Sequence, residues 1–201
     1  MPKKRSSSDD RARQMLAQEA ARIIVNHGVR DYRLAKTKAA ERLGFTTRAS
    51  LPGNAEVERA VSEHLALFGR ESHADFLLVM RRIALSAMDL LETFTPRLVG
   101  PVLHGTADSN SAVNLHVFAD SPEAVAFTLS DLGLSYRPYE RRLKSRRDQV
   151  ELFAGFEFRH EQASVEATVF PVDGIRQAPI SPINGKPMQR ADRRAVEALL
   201  D

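Results

Sequence analysis

The chain of 201 residues contains no cysteine. Disulfides, thiolate metal sites and cysteine nucleophiles are therefore excluded, and a reducing cytoplasm is the expected compartment. No apolar run approaches the roughly 18 residues of a membrane span. The opening MPKKRSSSDD lacks the apolar segment of a secretory signal. A Gly-rich phosphate loop, a dinucleotide-binding fingerprint and a Gly-x-Ser-x-Gly elbow are all missing. What remains is a hydrophobic fraction of 43%, enough for a real core.

Charge is unevenly placed. The first fifty residues hold 12 Lys/Arg against 5 Asp/Glu, and the remainder 17 against 21. A basic first quarter permits contact with nucleic acid or another polyanion. Lys3-Lys4-Arg5 lies in residues 1–8, which read as a disordered basic tail.

Apolar periodicity predicts a helical region over residues 9–95 and an α/β region over 96–201. The first helix runs from Ser8 or Asp9 to about Asn26, with Met15, Leu16, Ala20, Ile23 and Ile24 as its stripe, and Gly28 ends it. The second spans about Asp31 to Leu43, with Gly44 as its stop. This basic helical pair resembles the opening of TetR-type bacterial repressors. A recognition helix should follow Gly44 directly, but Pro52-Gly53 would break it within two turns. An ordinary helical hairpin is the favoured expectation. A third helix is expected over Asn54–Phe68, closed by Gly69, and a fourth over Ser72–Phe94 with Phe76, Leu77, Val79, Met80 and Ile83 on its broad apolar face.

The second region turns on LVGPVLHGTADSNSAVNLHVFAD, residues 98–120. It reads as a strand over Leu98–Leu103, a polar turn from Gly105 to Ser111, and a strand over Ala112–Phe118. Val113, Leu115 and Val117 point one way, Asn114 and His116 the other. Ser121-Pro122-Glu123 starts a helix that ends near Gly133. Strands follow at about Leu134–Leu143, Val150–His160 and Ala163–Val172, a turn-rich loop at Asp173–Met188, and a closing helix at about Arg190–Leu200. The basic run Arg141–Arg147 falls at a hairpin turn, either simply solvated or in contact with polyphosphate or RNA.

Ser164, Glu166 and Thr168 alternate with apolar residues as Asn114 and His116 do. Two such strands could frame a pocket, and an exposed sheet face alternates in the same way. An apolar strand, a Gly-Thr turn, a second strand with polar residues two apart and a later carboxylate, in that order, resemble the nucleotidyltransferase superfamily. The likeness covers roughly residues 72–172, and the whole chain is similar to bacterial proteins described as nucleotidyltransferase-like. The resemblance implies an α+β fold, with an N-terminal helical region followed by a mixed β-sheet domain with flanking helices. It implies Gly105 and Thr106 holding the phosphate of a nucleotide or phosphorylated small molecule. Asn114, His116 and Glu166 would be metal or phosphate ligands, with Glu166 and His116 as the catalytic pair. Magnesium or manganese and a nucleoside triphosphate would be the cofactors.

The chain departs from that pattern at the carboxylates. The pair should fall at Asn114 and His116, or one register earlier at Ala112 and Asn114, and neither leaves an aspartate on the strand. Asp108 and Asp120 are distant substitutes. Asparagine is neutral, and histidine suits zinc, manganese or nickel better than magnesium. His104, His116 and Glu166 offer a two-histidine, one-carboxylate alternative. The readings carried forward are an atypical or degenerate nucleotidyltransferase, a non-catalytic nucleotide binder, and a nucleic-acid-binding regulator using the N-terminal helices.

Overall fold

The computed structural model describes residues 7–27, 29, 31–45, 51–68, 70–145 and 149–200. The tail at Lys3–Arg5, the stops at Gly28 and Gly69, the stretch 46–50, and Arg146-Arg147 lie outside the described residues. The chain forms an α+β protein whose helical region precedes a mixed five-stranded sheet. It divides into two compact units, Met1–His73 with Pro182–Asn184, and Ala74–Ser181 with Gly185–Asp201.

The first unit contains α1 (Ser7–His27), α2 (Tyr32–Leu43) and α3 (Asn54–Phe68). Leu16, Ala17, Ala20 and Ile23 of α1 close a core with Ala35 and Ala39 of α2 and Val57 and Val61 of α3. Asp31 caps α2 by accepting from the amides of Arg33 and Leu34 at 2.7 and 3.3 Å, and Gly44 ends it. Met15, assigned to the stripe, is nearly half exposed.

The second unit does not begin at residue 96. The division falls within α4 (Arg70–Leu90), because Leu77, Met80, Ile83, Ala84, Ala87 and Met88 share one core with the sheet. Val79, expected inside, is on the exposed side of that helix. The elements that follow are β1 (Arg97–Val99), α5 (Pro101–His104), β2 (Val113–Phe118), α6 (Pro122–Asp131), β3 (Tyr136–Lys144), β4 (Val150–His160), β5 (Ala163–Phe170) and α7 (Arg193–Glu197). Strand order is β1-β2-β5-β4-β3. Among the described strands only the β2–β5 pairing is parallel.

The expected strand over Leu98–Leu103 is corrected. It stops at Val99 because Gly100 takes φ +73° and ψ −153°, a conformation favouring glycine, and Pro101 then opens a short helix. The closing helix is also shorter than expected, since Arg193–Glu197 is helical and Arg190 lies before it, outside the helix.

The sheet has one apolar and one polar face. Val113, Leu115 and Val117 of β2, Val165, Ala167 and Val169 of β5, and Phe156 and Phe158 of β4 pack with α4 and with Val125 and Leu129 of α6. A single helix-covered layer of this kind is how an α+β domain buries one side of a sheet. The opposite side carries the polar residues and positions the site.

Candidate functional site

Strand register sorts the polar face into rows. Arg137, Glu157, Glu166, Asn114 and Val99 occupy the first, and Tyr139, Gly155, Thr168, His116 and Arg97 the second. Arg141, Phe153, Phe170 and Phe118 form the third. Asn114 thus lies directly opposite Glu166, and His116 opposite Thr168. The parallel β2–β5 pairing puts these side chains on one side, because strands in register share their alternation.

Two aromatic and cationic side chains from edge strand β3 lie across this face. Tyr139 crosses β4 and reaches the Thr168 hydroxyl on β5 at 2.8 Å. It can do so only because position 155 is glycine, where a Cβ would stand 2.3 Å from Tyr139 Cζ. Arg141 runs diagonally over that ring, its guanidinium carbon 5.2 Å from the centroid. It pairs with the Glu166 carboxylate and makes a longer 3.4 Å contact to Asn114 Oδ1. A guanidinium therefore bridges the two residues expected to share a metal ion.

The chain just before α7 supplies a second cation. Arg190 Nε donates to His116 Nδ1 at 3.0 Å, and its Nη1 donates to the carbonyls of Gly174 and Ile175 at 2.8 and 3.4 Å. Its guanidinium lies 4.7 Å from the Phe170 centroid and 5.0 Å from that of Phe118. The third nitrogen, Nη2, is buried and finds no acceptor among the described residues. Burial, with Arg97 nearby, draws the Arg190 pKa down to about 10. His116 is 1% exposed and stacks 4.4 Å from Phe170. Burial first, then the charges of Arg190 and Arg141, holds its pKa well below the usual histidine value. It is a neutral ring with the proton on Nε2, since Nδ1 accepts from Arg190.

Gly105 and Thr106, assigned to phosphate, sit elsewhere and are otherwise engaged. Both amides donate to the Pro101 carbonyl as the C-terminal cap of α5. Gly105 faces Leu77 and Arg81 on α4, with their nearest atoms 3.9 Å from where its Cβ would be. The glycine that does approach Asn114 is Gly100, whose Cβ would lie 3.2 Å from Asn114 Nδ2. Asp108 holds its own turn, accepting from the Asn110 amide at 2.9 Å and the Ser111 hydroxyl at 2.8 Å. Asp120 and His104 are exposed.

The donors do not suit a hard divalent cation. Asn114 is neutral, Glu166 is paired with Arg141, and His116 accepts from Arg190. A magnesium ion there would face two guanidinium charges, and it prefers several hard oxygens. Among the described residues no group of three or more His, Asp or Glu converges as a metal cluster, so His104, His116 and Glu166 do not assemble.

Arg190, Tyr139 and Gly155 were not singled out from the sequence, and Arg141 was seen only as part of a charge run. One signal was available, since an isolated glycine within a strand marks close approach of another group. A cavity of about 170 Å³ lies beside the third row, walled by Phe153, Phe170, Pro171, Gly174 and Lys144. Small-molecule pockets are usually above about 300 Å³, so a larger ligand would extend beyond this cavity.

No family model and no curated protein matches the chain.

Proposed function

We propose that this protein is a nucleotidyltransferase-like domain that binds a nucleotide or a phosphorylated small molecule beside Arg141 on the polar sheet face without metal-assisted transfer. The observation that supports this reading is the Asn114–Glu166 pair on adjacent parallel strands, bridged by Arg141. Order along the chain agrees with it: strand, glycine, short helix, polar turn, strand bearing Asn114, later strand bearing Glu166. Cationic, aromatic and neutral polar groups on one face are the chemistry that recognises phosphate joined to a planar base.

Nucleic-acid binding through α1 and α2 ranks second. Several of its basic side chains are engaged within the unit: Arg13 with Glu56, Arg22 and Arg42 with Glu19, and Lys36 with Asn54. No helix among the described residues is long and apolar enough to cross a membrane.

Calorimetry with ATP, GTP, CTP and UTP, each with magnesium and with manganese, tests the reading, together with an assay for pyrophosphate release. Binding without release is expected. Pyrophosphate release with any acceptor would make the protein an active enzyme. Failure of all four nucleotides to bind would remove the reading.

A further inference from the structure

The disagreement between the donor set and a metal ion has a chemical consequence. In a metal-assisted site, carboxylates attract a cation and the cation attracts phosphate. Here the cations are covalently part of the chain. Arg141 bridges Asn114 and Glu166. Arg97 lies across from His116 on β1 and, among the described residues, donates only to the carbonyls of Thr95 and Pro96 at 3.3 and 3.0 Å. Arg190 rests on two aromatic faces, a neutral imidazole and two carbonyls. Among the described residues no carboxylate pairs with Arg97 or Arg190.

On this face Glu166 is bound to Arg141 and Glu157 to Arg137, so neither carboxylate serves Arg97 or Arg190. Half-buried positive charge without a counter-ion is costly, and so is the orphaned Nη2 of Arg190. An anion with several oxygens supplies the missing counter-charge. A planar guanidinium fork matches phosphate oxygens bidentately.

We infer that Arg97, Arg141 and Arg190 form a metal-independent site for a polyphosphate chain, with Arg141 standing between Asn114 and Glu166 where the nucleotidyltransferase resemblance expects magnesium. This rests on the proposed nucleotide reading for the identity of the ligand, but the cationic site stands on its own geometry. Arg97 and Arg141 present the approach side, since both are partly exposed. Arg190, seated against Phe118 and Phe170, adds its charge to the site. Magnesium adds nothing to such a site. By masking phosphate charge it competes with the guanidinium groups.

The test is calorimetry of the full chain with inorganic tripolyphosphate and with ATP, in EDTA and in magnesium. Both probes are expected to bind in EDTA at least as tightly as with magnesium. Arg141→Gln and Arg97→Gln are each expected to weaken binding about tenfold, the loss of a charge-assisted contact. Arg137→Gln, which removes an exposed charge on the same sheet edge, should leave binding unchanged. Thermal melts establish that each variant folds. Should Arg141→Gln fail to fold, Arg97→Gln carries the comparison, because among the described residues its side chain donates hydrogen bonds only to the Thr95 and Pro96 carbonyls.

ATP binding that requires magnesium or manganese overturns the inference and leaves the nucleotide reading standing. Tripolyphosphate binding in EDTA with no nucleotide bound does the reverse. Failure of both probes to bind, or an equal loss from Arg137→Gln, overturns the metal-independent site.

Discussion

On the helix-covered face of the sheet, Val113, Leu115 and Val117 meet Val165, Ala167 and Val169, and each residue fills its own place. On the other face, Asn114 and His116 meet Glu166 and Thr168, and the space above them is filled from a distance. Tyr139 and Arg141 arrive from the sheet edge, and Arg190 from the chain before α7. The first face is held by short-range packing of apolar side chains. The second is held by long side chains whose bodies lie on neighbours and whose polar tips find specific partners. A loss on the first face is a loss of volume; on the second it is a loss of geometry.

The largest effect is expected on the apolar face. Leu115 is fully buried, so Leu115→Ala should cost about 2–5 kcal/mol, read as a lower denaturant midpoint. A cost below that of the polar-face variants would mean that the apolar face is not the principal core. Gly155→Ala sharpens the contrast. Its new methyl would collide with the Tyr139 ring, and a cost of about 1–3 kcal/mol is expected from displacing that ring. In a Tyr139→Ala background the same change should be nearly neutral. Additive costs in the double-mutant cycle would show that the ring is not what position 155 accommodates.

The third test depends on pH. His116 is neutral in the folded chain, with its pKa held below the usual value by burial, Arg190 and Arg141. The unfolded chain takes up its proton first as pH falls through about 6.5. Stability is therefore fully present above that value and declines below it, by about 1.4 kcal/mol per pH unit until the folded value is reached. Melts of His116→Gln against the parent between pH 7 and pH 5 should show a shallower slope in the variant. Identical slopes would place His116 in a more accommodating environment than its 1% exposure indicates.

Much of the architecture was legible in local pattern. Val150–His160 is a strand with the expected bounds, and β5 ends at Phe170 against an expected Val172. The alternation of Asn114 and His116 with their apolar neighbours was readable because strand periodicity is a property of consecutive residues. The break in the expected strand at Leu98–Leu103 has a local signal: Gly-Pro permits a turn into a helix and opposes a continuous strand. The expected turn lies at Gly105, whereas the glycine that approaches Asn114 is Gly100.

Local order in the chain determined which residues form helices and strands, and which side of each strand is apolar, because both follow from repeats of a few residues. The opposition of Asn114 to Glu166, the passage of Tyr139 over Gly155, and the meeting of Arg190 with His116 were decided only by the tertiary structure. Each joins residues distant in sequence, and the sheet register that unites them is a cooperative outcome of the whole fold. Arg141 shows the difference most directly: a member of a basic run when read along the chain, and a bridging cation once the strands are in place.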